Sequence, residues 1–397
     1  MYDIIVHVKL FIFLFHREMK ECSLMNIVDE FKNAVENPYQ YIREMKDQTG
    51  KPVVAYLCSY TPEEIIYAAG AMPFRVFGTF ENIARADAHL QAYSCSLVRG
   101  VLEDSLSGKL DFIDGAVFPH TCDSIQRLSD IWRMNTSYKF HTDVVLPVKL
   151  NTESAREYMY EVMGKFKRDL EEGLGLSITR ESLEKSMEIY NSIRKTLHRL
   201  YQLKSDHPGI ISGADLYAVV RGSMVMDREQ VVEKLSSLVE ELEQKAHSVP
   251  ETGRKRIIMT GGICNHPDIY TIIEESGGDV VWDDLCTGTR YFEGTLQADG
   301  DPVRSIANRY CDRLVCPAKH SSETSRGENI ARIAREHNAD GAIFLFLKFC
   351  DPHSFDYPYM KEYLDKADIP NLLLEVEEQL PSEGQLKTRF EAFVEML

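Results

Sequence analysis

Residues 52–77, PVVAYLCSYTPEEIIYAAGAMPFRVF, decide the fold class. The runs PVVAYL and MPFRVF have the length and the apolar composition of short buried strands. Between them, Thr61 is placed to cap a helix, Pro62 suits its first turn and Gly70 ends it. A strand, a compact helix and a second strand in this order indicate a parallel β-α-β unit.

The same alternation of strands and helices recurs on both sides of a helical stretch. DGAVF and DVVLPV continue the strands of the first part, and the second part contains RKRIIMTGG, GGDVVWDD, DGAIFLFL and IPNLLLEVE. From 152 to about 247 the pattern is that of long, charged helices. The sequence therefore predicts an α/β protein with a parallel-sheet domain at 25–150, a helical segment at 151–250 and a second parallel-sheet domain at 251–397.

The length, the charge and the N-terminal residues limit the number of domains, the kinds of partner and the membrane segments that can be expected. With 397 residues the chain is longer than one compact core usually needs. Its net charge of −17 repels nucleic acid and anionic membranes, so neither is expected as a partner. The apolar stretch at 4–15 is interrupted by His7 and Lys9 and is too short to cross a bilayer. Because a new amphipathic pattern begins after Met25, residues 1–24 are expected to be a flexible or non-native leader outside the fold.

The nine cysteines are odd in number and include no CxxC pair, which favours reduced thiols in a cytoplasm over a secreted disulfide framework. Two of them follow matching strands. Asp114-Gly-Ala-Val-Phe118 leads to Cys122, and Asp340-Gly-Ala-Ile-Phe344 leads to Cys350. Ligands of open parallel sheets bind beyond the carboxyl ends of the strands. Two such strand ends could therefore face each other across a cleft lined with thiolates.

Several interpretations of these thiols stay open. A buried cysteine is most often a small hydrophobic side chain, although many cysteines here precede a Pro, Gly or Asp turn. Zinc usually needs two close pairs of ligands and ferredoxins have their own cysteine spacing, and the sequence contains neither pattern. What remains is a metal or cluster held by thiolates from distant loops, a geometry that spacing alone does not settle.

Six motifs occur in order between about residue 56 and residue 397: CSYTPEEIIYAAGAMPFRVFG, YSCSLVRG, FPHTCDSIQRLSDIW, WDDLCTGTRYF, KFCDPHSFDYPYMKEYL and GQLKTRFEAFVEML. Together they resemble the 2-hydroxyacyl-CoA dehydratase and benzoyl-CoA reductase subunit family. The resemblance implies two Rossmann-like domains that hold one [4Fe-4S] cluster in the cleft between them. It also implies that the three cysteine ligands of the cluster are Cys95, Cys122 and Cys350, the cysteines of YSCSLVRG, HTCDS and KFCDP.

Double-cubane proteins are relatives within this family, and their [8Fe-9S] cluster needs six cysteines per chain. Cys58, Cys264, Cys286 and Cys316 stand at comparable places in this sequence. The motif CDSIQRLSDIW is closer to the dehydratase and reductase branches. The choice between a single and a double cubane stays open.

The resemblance also implies the reaction and its partners. A 2-hydroxyacyl-CoA dehydratase is a lyase that works under anaerobic conditions and removes water from an acyl-CoA thioester through a ketyl radical. Three thiolates leave one iron of a low-potential cluster open for the substrate. The electron comes from a separate ATP-dependent iron–sulfur activator protein, and the other partner is a homologous second subunit or another copy of the chain. The alternatives are a benzoyl-CoA-reductase-like or double-cubane reductase, which is an oxidoreductase, and a non-catalytic electron-relay or partner subunit.

Few residues besides the cysteines are candidates for acid–base chemistry or substrate binding. Glu64 in the PEE turn could reach the cleft as an acid or base, or could complement the helix dipole. Ser59 could donate a hydrogen bond to the thioester carbonyl, or could merely finish its turn. Because the sequence has neither GxGxxG nor a Walker lysine motif, ATP binding by this chain is not expected. Weaker candidates, for hydrogen bonds to cluster sulfur or to CoA phosphates, are His120, His353, Arg127, Lys348 and Arg389.

Overall fold

The computed structural model describes six stretches of the chain, which are residues 26–79, 82–297, 300–313, 316–321, 325–377 and 379–397. The predicted leader at 1–24 lies outside these described residues. In the part of the chain that the structure describes, none of the helices combines the length and the apolar character needed to span a bilayer.

Four parallel strands form the first sheet, in the order β2-β1-β3-β4. Their side chains are mostly buried, because helices cover the faces of a parallel sheet. The strand predicted at 143–148 is displaced, since β4 begins and ends earlier and pairs Phe140 with Gly115. Pro147 cannot donate a ladder hydrogen bond, which fits its place beyond the strand. The strands are β1 (Val53–Tyr56), β2 (Met72–Arg75), β3 (Gly115–Pro119) and β4 (Phe140–Val144).

The second sheet repeats this arrangement, with four parallel strands in the order β6-β5-β7-β8. In each sheet the chain starts in the middle, adds a strand on one side and then crosses to the other side. The carboxyl ends of β1 and β3, and of β5 and β7, therefore flank the point where the strand order reverses, which is where such sheets bind ligands. The strands are β5 (Lys255–Gly261), β6 (Gly278–Asp284), β7 (Gly341–Leu347) and β8 (Asn371–Val376).

Helices fill the connections between strands and form the whole segment between the sheets. The first helix between β1 and β2 begins after Pro62 rather than at a Thr61 cap, because the Thr61 hydroxyl makes no capping hydrogen bond. The described helices are α1 (26–36), α2 (Pro38–Thr49), α3 (Glu63–Ala68), α4 (Ser96–Leu106), α5 (Asp123–Asn135), α6 (Glu153–Leu174), α7 (Arg180–Asp206), α8 (Gly213–Gly222), α9 (Arg228–Lys245), α10 (Asp268–Glu275), α11 (Thr289–Phe292), α12 (Pro302–Asp312), α13 (Ser325–Glu336), α14 (Asp351–Lys366) and α15 (Glu383–Met396).

The two sheets share a hydrophobic core. Ala55 and Phe118 of the first sheet and Ile258 and Phe344 of the second belong to one continuous cluster of buried apolar side chains. Helix α7 packs against α3 beside the first sheet and against β6 of the second. The α/β fold class with two parallel sheets is thus confirmed, whereas the domain boundaries at 150 and 250 stay predictions.

Candidate functional site

Each cysteine predicted to be a ligand immediately precedes a helix. Cys95 stands before α4, Cys122 before α5 and Cys350 before α14. Cys122 and Cys350 also follow β3 and β7, the corresponding strands of the two sheets. The first N–H groups of a helix have no partner within it, and the helix dipole favours negative charge at that end. These three positions are therefore suited to stabilising thiolates.

The structure brings these three cysteines into one region. Burial raises the pKa of each thiol, and backbone N–H groups of the helix that follows oppose this rise by hydrogen bonding to the sulfur. The thiol of Cys95 also raises the pKa of Cys122, and the thiols of Cys95 and Cys122 raise that of Cys350. Because each of these cysteines is near enough to another for the charge of one to affect the pKa of the other, Cys95, Cys122 and Cys350 lie in one region of the molecule.

Three more cysteines lie in the same region. Burial raises the pKa of Cys316 to about 11, and the nearby thiols of Cys286 and Cys58 add to this rise. Cys58 and Cys316 in turn raise the pKa of Cys122. The hydroxyl of Thr121 donates to the Cys58 sulfur at 3.5 Å. Six cysteines, called the thiol cluster below, thus gather where the carboxyl ends of both sheets meet the following helices: Cys58, Cys95, Cys122, Cys286, Cys316 and Cys350.

Two other described cysteines have different neighbours. Cys264 is fully buried and donates to the His266 carbonyl at 3.5 Å, and burial raises its pKa to about 12 beside Arg221 and Asp283. Cys311 lies on α12, where burial raises its pKa to about 11 and Arg156 opposes the rise. Of the four cysteines compared above with double-cubane proteins, the structure brings Cys58, Cys286 and Cys316 to the thiol cluster. The Cys264 thiol interacts instead with Arg221 and Asp283, although its backbone N–H donates to Thr287 Oγ1, next to Cys286.

A cavity of about 650 Å³ opens beside the thiol cluster, and residues from both halves of the chain line it. Cys122 forms part of its wall. The aromatic rings of Phe355 and Tyr359 on α14 also line it, with 78% and 64% of their surface exposed. The remaining lining residues are Thr121, Asp123, Pro317, Ala318, Lys319, His320, Arg326, Asp351, Pro352 and Asp356. The cavity gives a molecule from outside a route to the thiol cluster.

The residues present fit an iron–sulfur cluster better than a single metal ion. Within the described residues, no three His, Cys, Asp or Glu side chains are arranged to hold one ion. In a cubane each cysteine binds a different iron, so its ligands stand farther apart than those of one ion. Two buried guanidinium nitrogens near the thiols, Arg75 Nη2 and Arg313 Nε, also lack a hydrogen-bond acceptor. Free thiols surrounded by buried positive charge form a donor set suited to an anionic cluster.

Glu64 lies in a buried ion-pair network rather than on the wall of the cavity. Its carboxylate is fully buried, forms an ion pair with Arg194 and lies 3.6 Å from Arg309 Nη1. Burial opposes ionisation, but the two arginines outweigh it, so the pKa of Glu64 lies below its usual value. A carboxylate that is held ionised in this way is a weak acid and a weak base at neutral pH. The acid–base role of Glu64 stays a prediction.

The hydroxyl of Ser59 lies beside the thiol cluster and has a partner. Arg313 Nη2 donates to Ser59 Oγ at 3.2 Å, and the residue before Ser59 is Cys58. Ser59 is largely buried, and its hydroxyl already accepts a hydrogen bond from Arg313. The hydrogen bond that Ser59 was predicted to donate to a thioester carbonyl stays a prediction.

The two candidate histidines lie near the thiol cluster in different settings. His120 Nε2 lies 3.0 Å from Asp143 Oδ1. His353 is buried in the first turn of α14, and burial together with Arg290 and Arg326 holds its pKa well below the usual value. His353 is therefore neutral at physiological pH.

The basic residues suggested for CoA phosphates do not converge. Arg127 pairs with Asp130 on the exposed face of α5, and Lys348 pairs with Glu377. Arg389 on α15 donates to the Leu373 carbonyl of β8. The structure brings none of these three together at the cavity.

An aspartate that the sequence did not single out organises the loop of Cys286. The Asp283 carboxylate accepts hydrogen bonds from the Tyr201 hydroxyl at 2.6 Å and from the backbone N–H groups of Leu285 and Thr289. Burial raises its pKa to about 6, although these hydrogen bonds oppose the rise. The only sequence signal was the pair of acidic residues that ends the apolar run GGDVVWDD.

Comparison with known proteins identifies the family. Residues 58–397 match the family described as 2-hydroxyglutaryl-CoA dehydratase, D-component. The chain belongs to this family. The family resemblance found in the motifs is therefore confirmed.

Relatives of this dehydratase family match the chain over most of its length. It is 32% identical to the (R)-phenyllactyl-CoA dehydratase beta subunit of Clostridium sporogenes, over 93% of this chain and 98% of that protein. It is 29% identical to the lactoyl-CoA dehydratase beta subunit of Anaerotignum propionicum, over 94% and 98%. It is also 28% identical to a benzoyl-CoA reductase subunit of Thauera aromatica, over 81% and 84%. Both the dehydratase and the reductase branches are thus represented among its relatives.

Proposed function

We propose that the chain is the iron–sulfur subunit of a 2-hydroxyacyl-CoA dehydratase, a lyase that removes water from an acyl-CoA thioester. The observation that carries the proposal is the convergence of Cys95, Cys122 and Cys350 beside a cavity that reaches the surface. Membership of the dehydratase family and the names of the dehydratase relatives support the same reaction.

The chain's own residues would hold the cluster and shield it from water. Cys95, Cys122 and Cys350 would supply three thiolates, which the N-terminal ends of α4, α5 and α14 stabilise through their backbone N–H groups. When bound, the cluster supplies single-electron chemistry at low potential. The cavity beside Cys122 would admit the thioester to this site.

The proposed partners are a second, homologous subunit or another copy of this chain, and an ATP-dependent activator that delivers the electron. The dehydratase relatives are named beta subunits, which supports a multi-subunit enzyme. The free thiols of the described cysteines support a reducing compartment such as a cytoplasm.

Iron binding by variants tests the three ligands. Cys95→Ala, Cys122→Ala and Cys350→Ala are reconstituted anaerobically beside the wild type, and iron and visible absorbance are measured. We expect each variant to lose most of its iron, while the control Cys311→Ala keeps it because Cys311 has other neighbours. Full iron content in all three variants would refute the ligand assignment.

An activity assay tests the reaction itself. The loaded chain is combined with an activator, ATP, a reductant and candidate second subunits, and is offered the CoA thioesters of 2-hydroxyglutarate, lactate and phenyllactate. Formation of the enoyl-CoA with only catalytic use of reductant supports the proposal. Stoichiometric use of reductant would identify a reductase instead, and electron transfer without product from any combination would identify a relay subunit.

A double-cubane reductase is the second candidate, because six cysteines rather than three lie together. Cys58, Cys286 and Cys316 extend the thiol cluster to the number that an [8Fe-9S] cluster needs. Iron per chain separates the candidates, with about four expected for a single cubane and about eight for a double one. In the first case, alanine at Cys286 or Cys316 leaves the iron content unchanged, and in the second it lowers it.

A further inference from the structure

Four buried cations border the thiol cluster. Arg290 donates to Cys286 Sγ at 3.6 Å and pairs with the Asp284 carboxylate. The other three have no such carboxylate partner, and each of them contacts a segment that holds a cysteine. Arg75 donates to the Leu57 carbonyl at 3.3 Å and to the Cys286 carbonyl at 2.9 Å, so it joins the Cys58 loop of the first sheet to the Cys286 loop of the second. Lys319 Nζ donates to the His120 carbonyl at 3.0 Å, two residues before Cys122.

The third cation, Arg313, lies beside Cys58. Its Nη2 donates to Ser59 Oγ at 3.2 Å, and its guanidinium stacks on the Tyr60 ring at 3.9 Å. The thiols of Cys58, Cys122 and Cys316 all act on the ionisation of Lys319, and that of Cys58 acts on Arg313. Positive charge thus faces the thiols from several directions.

Arg75, Arg313 and Lys319 lack the carboxylate partner that most other buried cations among the described residues have. Arg194, Arg228 and Lys204 are buried to the same degree, and each pairs with a buried carboxylate. Among the described residues, no carboxylate forms an ion pair with Arg75, Arg313 or Lys319, although Glu293 is near enough to raise the pKa of Arg313. Arg221, a further buried cation without a carboxylate partner, packs on the Phe77 ring that Arg75 also faces.

An unpaired buried cation is unfavourable, since burial removes hydration that neutral carbonyls replace only in part. Burial accordingly lowers the pKa of Lys319. The unfavourable charges are gathered beside the one region of the described chain where six thiols could become thiolates. The arrangement is therefore explained if a bound anionic group completes it.

We propose that Arg75, Arg313 and Lys319 form a cationic frame that supplies the counter-charge of the iron–sulfur cluster and raises its reduction potential. The inference rests on the cluster of the proposed function. Reduction adds one electron, and hence one negative charge, to the cluster without making or breaking a bond. Nearby positive charge stabilises the reduced form more than the oxidised form, so each cation shifts the equilibrium towards reduction.

The reduction potential of the loaded protein tests the frame. Lys319→Met and Lys319→Arg are reconstituted anaerobically and titrated with dithionite under mediators, and the cluster is followed by electron paramagnetic resonance and visible absorbance. For Lys319→Met we expect a negative shift that corresponds to a roughly tenfold smaller equilibrium constant for reduction, about 59 mV for one electron. Lys319→Arg keeps the charge and should stay close to the wild type.

Lys361→Met is the matched control, because Lys361 is exposed on α14 and pairs with Asp365. It should leave the potential unchanged. Arg313→Gln and Arg313→Lys repeat the comparison at a second site, in case one substitution prevents folding. If the neutral variants load with full iron and their potentials equal that of Lys361→Met, the frame is refuted.

The iron content of the Lys319 variants gives a second test of the cationic frame. If Lys319→Met fails to take up iron but Lys319→Arg loads, the charge is needed and the proposal is supported. If both fail, the exact side chain rather than its charge matters, and the proposal falls. If the wild type itself binds no cluster, the proposed function fails first, so the two failures are distinguishable.

Discussion

At the scale of single residues, a substitution of Glu64 distinguishes a structural role of its carboxylate from a catalytic role. Its carboxylate is fully buried between Arg194 and Arg309, so Glu64→Gln leaves two buried guanidinium groups without their counter-charge. We expect the free energy of unfolding in urea to fall by about 3–5 kcal/mol. Glu243→Gln, which breaks an exposed pair with Arg199, should change it by no more than about 1 kcal/mol. Unchanged stability with lost activity would instead favour the acid–base role.

Asp283 predicts a specific dependence of stability on pH. Its pKa is about 6 in the folded chain, and the ordinary value is 3.8, so between these values the folded state binds more protons than the unfolded state. Stability therefore falls as the pH rises through this window, and the ionised carboxylate costs about 3 kcal/mol above it.

The variant Asp283→Asn stays neutral at every pH, and its amide oxygen can still accept from Leu285 and Thr289. Relative to the wild type, its free energy of unfolding should increase between pH 4 and pH 7. Urea unfolding of both proteins at pH 4, 5, 6 and 7 measures the difference between their free energies of unfolding. The other titrating groups are the same in both proteins, so their contributions cancel in this difference. Parallel pH profiles would show that Asp283 does not titrate in this range.

At the scale of elements, Gly261 fixes the carboxyl end of β5 against β7. Its φ is +149°, and a Cβ atom at this position would come within 1.9 Å of the Leu345 carbonyl oxygen. Gly261→Ala should therefore separate the strand ends and lower the stability by more than about 2 kcal/mol, measured by urea unfolding. Gly164→Ala in α6 meets only ordinary contact with Arg168 and should raise stability by about 0.5–1 kcal/mol. Equal effects of the two substitutions would contradict this account.

The strands were predictable from sequence because apolar runs bounded by Gly, Pro or Asp have few other conformations. The predictions that were wrong concern the boundaries of single elements. Thr61 does not cap α3, because the helix begins after Pro62, and β4 lies earlier than its apolar run because Phe140 pairs with Gly115. Such boundaries depend on tertiary register, which a single strand does not contain.

Cys122 and Cys350 were likewise predictable, because they follow corresponding strands of the two sheets, whereas Cys95 follows no strand and was assigned only through the family resemblance. Arg75 and Lys319 were not predictable. A lysine or arginine is normally exposed, and only the packing of two sheets shows which of the chain's 45 are buried. Sequence pattern thus locates a ligand set, whereas the charge that surrounds it emerges from the fold.

At the scale of the whole molecule, the shared core predicts one cooperative unfolding transition. The chain has two tryptophans, and each reports on one sheet. Trp132 on α5 packs against Phe118 of β3, and Trp282 of β6 stacks on His337 at 3.9 Å. Because apolar side chains of both sheets form one cluster, neither half can lose its structure without exposing the buried surface of the other.

The variants Trp132→Phe and Trp282→Phe each leave one fluorescent reporter. For each variant, urea unfolding is followed by tryptophan fluorescence and by far-ultraviolet circular dichroism, which reports on the helices of the entire chain. We expect the two transitions to coincide in both variants, with the same midpoint and slope. A fluorescence transition that precedes the loss of helix in one variant would show two independent domains. In that case the thiol cluster, which draws cysteines from both halves, would be held together by the bound iron–sulfur group rather than by the protein core.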